Sequence, residues 1–84
     1  MTAPATDTQG VLRRLLELAA GRFARPPSEL DATADMFDTL GIDSMDALEL
    51  LTDLEQAFDV EIPDYEVQDV RTFQELAEVV ATRL

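Results

Sequence analysis

One stretch of this 84-residue chain combines residue types and spacing suited to chemistry: Leu40-Gly41-Ile42-Asp43-Ser44-Met45. It sets a hydroxyl at the start of a helical pattern, after a glycine that lets the backbone turn and among carboxylates. A serine becomes a nucleophile when a neighbouring base takes its proton. Here no such base exists, because the chain has no His, no Cys and no Lys, and its six basic residues are all arginine. That excludes a Ser-His triad, a cysteine nucleophile, a redox pair, a structural zinc site and a Schiff base. The Asp43 carboxylate is a poor base for an alkoxide. Two readings of Ser44 stand: a plain helix N-cap, or an acceptor hydroxyl modified by another enzyme that brings base and metal. A phosphate ester there would meet free helix N–H groups, against repulsion from Asp43 and Asp46.

Several elements must hold this serine in place. Apolar residues at helical spacing (Leu12, Leu15, Leu16, Ala19, Phe23) predict a first helix from about Asp7 or Thr8, stopped before Pro26-Pro27. About twenty residues then separate it from the next strong pattern, a long connection for a small domain. Leu30, Met36, Phe37 and Leu40 are expected to pin that loop to the core, and Gly41 closes it. A second helix is expected from Asp43-Ser44 to about Phe58. Its stripe is Leu48, Leu51, Leu54 and Phe58, supported by Ala47 and Leu50, with Asp46, Glu49, Asp53 and Gln56 mostly outward. Pro63-Asp64 starts a short third helix to Asp69. The fourth opens on the capping-box pattern Thr72-Phe73-Gln74-Glu75 and carries Phe73, Leu76, Ala77, Val80 and Leu84 on one face. The expected fold is all-α: a small four-helix bundle with a short third helix and a long loop between the first two, over residues 7–84, after a disordered tail at 1–6.

Charge is unevenly spread. The chain carries eighteen acidic residues and a net charge of −12, which argues against nucleic acid or an anionic membrane as partner. Fourteen of the acids fall between Pro26 and Val70, a stretch with no arginine. Such a middle should attract basic protein surfaces. A hydrophobic content of 46% with clear periodicity argues for a folded chain rather than acidic disorder. No apolar run approaches the ~18 residues of a spanning helix, and the first nine residues lack the charge and apolar core of a signal peptide. A cytoplasmic monomer is expected.

The residues around Ser44 carry a further likeness. Phe37-x-x-Leu40-Gly41, then Asp43-Ser44-Met45-Asp46-Ala47-Leu48-Glu49-Leu50, then Leu54-Glu55-Gln56-Ala57-Phe58-Asp59-Val60-Glu61-Ile62-Pro63-Asp64, resemble the acyl carrier proteins. The likeness runs from about the first helix to the end. It implies a four-helix bundle that is no enzyme itself and holds acyl groups as thioesters on a 4′-phosphopantetheine arm attached to Ser44. The working thiol would belong to the arm. By the same resemblance a phosphopantetheinyl transferase installs the arm, and acyl-loading and acyl-processing enzymes such as a ligase, acyltransferase or ketosynthase are the further partners. Asp43, Met45, Asp46, Glu49 and Glu55 match the family's partner-recognition surface. In physical terms they are carboxylates around one apolar contact, suited to transient docking on Arg/Lys patches. For the helix charges the plainer reading is a solvated face. Leu48, Leu51, Leu54, Phe58, Ile62, Val67 and Val70 read first as core, and the resemblance implies that an acyl chain can enter between them. Met45, Ile42, Thr39, Thr52 and Tyr65 depart from the family's commonest pattern, which points away from a housekeeping fatty-acid carrier and toward a dedicated pathway such as polyketide, siderophore or lipid tailoring.

Rival readings differ in what they predict. A peptidyl or aminoacyl carrier would use the same arm and serine but accept amino acids. An acidic interaction module without an arm would keep its function in Ser44→Ala. An EF-hand calcium loop fails, because aligning Gly41 with its sixth position puts Met36, Leu40 and Ala47 at positions that need oxygen ligands.

Overall fold

A computed structural model describes residues 7–84; the tail expected at 1–6 lies outside the described residues. The chain runs through α1 (Thr8–Phe23), a 3-10 turn (Pro27–Glu29), α2 (Met36–Leu40), α3 (Ser44–Phe58), a second 3-10 turn (Asp64–Glu66) and α4 (Phe73–Ala81). No strand occurs among the described residues. Nor is any described helix long and apolar enough to cross a membrane.

Each helix start follows from a side chain that accepts an otherwise unpartnered N–H. Asp7 caps α1 by accepting from Gly10 N–H at 2.7 Å. Asp35 caps α2 by accepting from Phe37 and Asp38 N–H. Thr72 and Glu75 form the capping box expected at α4. The ends of α1, α2 and α3 are set by left-handed residues. Gly41 closes α2 at φ 68°, and Ala24 and Asp59 close α1 and α3 at φ 56°, a conformation that opposes a β-carbon.

α1 packs against both α3 and α4. The core is their shared interior: Val11, Leu15 and Ala19 from α1, Leu50 and Leu54 from α3, and Phe73, Ala77 and Val80 from α4 are almost completely buried. Three sequence expectations shift. The long loop holds one short α-helix, α2, which the pinning residues Met36 and Leu40 anchor by burial. The expected helix over 64–69 is a 3-10 turn and a further turn instead, closed by Val67 N–H to Asp64 and Val70 N–H to Val67, each three residues back. Six residues after a proline form too few bonds to offset α-helix nucleation. Leu84, expected on the face of the fourth helix, lies beyond its end and is exposed.

Two backbone bonds fix the loop to the head of α4: Met36 N–H donates to Arg71 O at 2.8 Å and Gln74 N–H to Ala32 O at 2.9 Å. Arg71 completes the junction. It pairs with Asp35 and lies over the Phe37 ring, 4.8 Å from its centroid. α2 is thereby tied to the segment that leads into α4, and the turn at Gly41 delivers the chain to α3.

Candidate functional site around Ser44

Asp43, not Ser44, caps α3. Its Oδ1 accepts from Asp46 N–H at 3.0 Å while Asp46 Oδ2 accepts from Asp43 N–H at 3.2 Å, a reciprocal capping box. Ser44 is the first helical residue and is exposed. The plain-cap role that the sequence left open for its hydroxyl is already filled by its neighbour. Among the described residues none hydrogen-bonds that hydroxyl. The N–H groups of Ser44 and Met45 belong to the first turn and have no intrahelical partner, and the positive end of the helix favours an anion beside them.

Behind Ser44 opens a cavity of about 550 Å³ between α2, α3, the second 3-10 turn and α4. Its wall is mostly apolar, with Leu48, Leu51, Val67 and Val70 from the sequence expectation and Met36 and Leu76 in addition. Leu48 corrects its reading as core: it is 39% exposed and stands at the rim, because Leu50 takes the centre of the buried stripe. Leu51, Leu54 and Ile62 are buried, whereas Phe58, Val67 and Val70 are half-buried against the core. Leu54, Phe58 and Ile62 do not line this cavity. Phe37, Gln68 and Arg71 do, and sequence reasoning did not place them there. Phe37 had a signal, as an aromatic residue in the loop. Gln68 and Arg71 had none, since they lie more than twenty residues from Ser44 with no periodicity linking them.

The acidic residues around Ser44 are not equivalent. Met45 is 65% exposed. Glu49 accepts from Arg22 Nη1 at 3.3 Å, and Asp53 receives Arg22 Nε at 2.5 Å and Nη2 at 3.0 Å. The bond from Arg22 holds Asp53 below the usual carboxylate range, and the Asp53 carboxylate raises Arg22 in turn. Glu55 is engaged within the fold: its Oε2 accepts from the N–H of buried Ile62 at 2.8 Å. Beside the cavity, Arg71 lowers Asp35, with the Asp38 and Phe37 N–H groups adding to the effect. Among the described residues no three acidic side chains converge as a metal site.

Residues 13–80 match the model of the phosphopantetheine attachment site family. The chain belongs to that family. It is also similar to proteins named acyl carrier protein: 35% identical over 74 residues to one from Rubrobacter xylanophilus, covering 88% of this chain and 91% of the relative. The likeness to one from Syntrophobacter fumaroxidans is 32% over 75 residues, 89% of this chain and 93% of the relative. A third, from Bdellovibrio bacteriovorus, is 41% identical over 51 residues, 61% of this chain and 65% of the relative. Family membership makes the chain a non-catalytic acyl carrier whose cofactor is covalent 4′-phosphopantetheine. The residues present suit such a group: an exposed hydroxyl released from capping, beside the first-turn N–H groups of α3 and at an apolar cavity.

Proposed function

We propose that Ser44 is the attachment residue and that the chain carries acyl intermediates on it between partner enzymes of fatty-acid, polyketide or related biosynthesis. The observation that carries this is the displacement of Ser44 from the cap by Asp43, which leaves an exposed, unbonded hydroxyl at the rim of the cavity. When bound, the arm supplies a thiol that holds the acyl group as a thioester. The chain itself supplies position and charge. Asp43 fixes the first turn of α3, so the Ser44 hydroxyl leaves the helix in one direction. A phosphopantetheinyl transferase then brings the base and metal that this chain lacks. Asp43, Asp46 and Glu49 surround Met45 with negative charge, a pattern that steers basic partner patches to this end of α3. The wall formed by Leu48, Leu51, Val67 and Val70 gives an apolar cargo a place out of water.

The test is the intact mass of the protein after incubation with coenzyme A and a broad-specificity phosphopantetheinyl transferase. The wild type should gain one phosphopantetheinyl group and Ser44→Ala none. An unchanged wild-type mass, or a gain retained by Ser44→Ala, overturns the assignment. Loading the product with acyl or aminoacyl groups by the matching enzymes then separates an acyl carrier from an aminoacyl one.

A further inference from the structure

Resting on that reading, we propose that Arg22 is a specificity-determining residue: a cation built into the chain that occupies part of the α3 docking stripe in place of a partner's arginine. Asp46, Glu49 and Asp53 follow one another at three- and four-residue spacing, so they lie along one face of α3. Arg22 projects from the last turn of α1 onto this stripe. Its guanidinium forks onto both oxygens of Asp53, at 2.5 and 3.0 Å, and reaches Glu49 at 3.3 Å with the remaining nitrogen. This is the planar two-point geometry by which an arginine of another protein would take the same carboxylates. A basic partner surface approaching α3 therefore finds two of its carboxylates already engaged.

The consequence is directional. The unclaimed charge lies toward Ser44, at Asp43 and Asp46, so docking is weighted to the end of the helix that holds the attachment residue. Partners whose basic patch spans Glu49 must displace Arg22 and lose rate for it, the transferase that modifies Ser44 among them. Arg22 also faces the negative end of α1 and braces α1 against α3, and a brace alone would alter stability without altering how Glu49 contributes to docking.

Charge-steered encounter rates can rise ten- to a thousandfold through the field of a whole surface and fall with salt, and a single released site supplies a part of that, at or below its low end. The measurement is kcat/KM for transfer of the phosphopantetheinyl group from coenzyme A to Ser44 by one transferase at about 20 mM and about 300 mM salt. Arg22→Gln should raise kcat/KM about three- to tenfold at low salt and steepen its salt dependence. Arg14→Gln removes the same charge from a pair confined to α1, Arg14 with Glu17, and should give a smaller rise. Glu49→Gln should cost more rate in the Arg22→Gln background than in the wild type. Arg22→Lys keeps the charge but not the fork, so it should fall between wild type and Arg22→Gln, and it supplies the test where circular dichroism shows Arg22→Gln unfolded. Equal effects of Arg22→Gln and Arg14→Gln, an unchanged cost of Glu49→Gln, or Arg22→Lys identical to the wild type overturns the inference while Ser44 is still modified. A wild type that accepts no group at Ser44 overturns the carrier reading itself, and this inference with it.

Discussion

Asp43 holds two duties that substitution can separate. Its side chain caps α3 at 3.0 Å from the Asp46 N–H, and its charge belongs to the surface proposed to meet partners. Asp43→Ala removes both. Losing an N-cap costs about 1 kcal/mol, and the charge at the positive helix end adds about 0.3–1 kcal/mol at an exposed site. Partial relief of repulsion with Asp46 offsets part of the second figure. A net loss of about 1–1.5 kcal/mol, with an unfolding entropy of ~0.18 kcal/mol/K for a chain this long, lowers Tm by roughly 6–8 °C. Asp43→Asn keeps an oxygen for the cap and loses only the charge, so its Tm should fall by about 3 °C or less. In the transfer assay the two should slow alike, because both lack the carboxylate. Thermal unfolding followed by circular dichroism, beside transfer kinetics at low salt, checks both halves. If Asp43→Asn is as unstable as Asp43→Ala, the cap argument is wrong. If Asp43→Asn transfers at the wild-type rate while Asp43→Ala is slow, the residue acts through helix geometry and its charge has no docking role.

The left-handed helix ends give a pair of opposite expectations in the same thermal assay. Gly41→Ala should destabilise by about 1 kcal/mol, since no atom lies within 4 Å of a β-carbon there and only the φ of 68° opposes one; Ala24→Gly should stabilise by about 0.5–1 kcal/mol, and equal signs would refute the reasoning. Glu55→Ala should lower stability by about 1–2 kcal/mol through the lost acceptor for Ile62 N–H, read as a urea midpoint shift; an unchanged midpoint with slower transfer would return Glu55 to a docking role. Asp31, Asp35, Asp53 and Glu75 sit below their usual values, held by the Thr33, Arg71, Arg22 and Arg71 groups respectively that head each one's hydrogen bonds. Fewer protons bind to them folded than unfolded, so their stabilisation is full above the unfolded carboxylate range and is lost as pH falls through the folded values. The stability gap between wild type and Arg71→Gln, which removes the side-chain partner of Asp35, should therefore be constant near neutrality and close in acid; a gap of unchanged size at low pH would refute it.

Periodicity and capping patterns made the three long helices legible, because each signal is local: the Asp7 start, the Thr72-Glu75 box and the spacing of Leu51 and Leu54 all arise within one or two turns. What escaped the sequence is what depends on distant pairs. α2 forms because Met36 and Leu40 are buried and Met36 N–H meets Arg71 O, thirty-five residues on. The bonds of Glu49, Asp53 and Glu55 likewise reach to Arg22 and Ile62, which no spacing on α3 reveals. At the site, the serine was visible as a residue type, but whether it or Asp43 would cap was not, since both are suited to that position and only the backbone register decides.

Giving the cap to Asp43 has a thermodynamic consequence for whatever Ser44 bears. A substituent on an oxygen that contributes no bond to the fold breaks none when it is attached, so attachment and folding are linked only through what the new group itself meets, the first-turn N–H groups of α3 on one side and the Asp43 and Asp46 carboxylates on the other. Modification then costs the helix start none of its own hydrogen bonds. Repeated addition and removal of a group there leaves the scaffold where it began, and any change in stability between loaded forms reports the cargo's own contacts in the cavity alone.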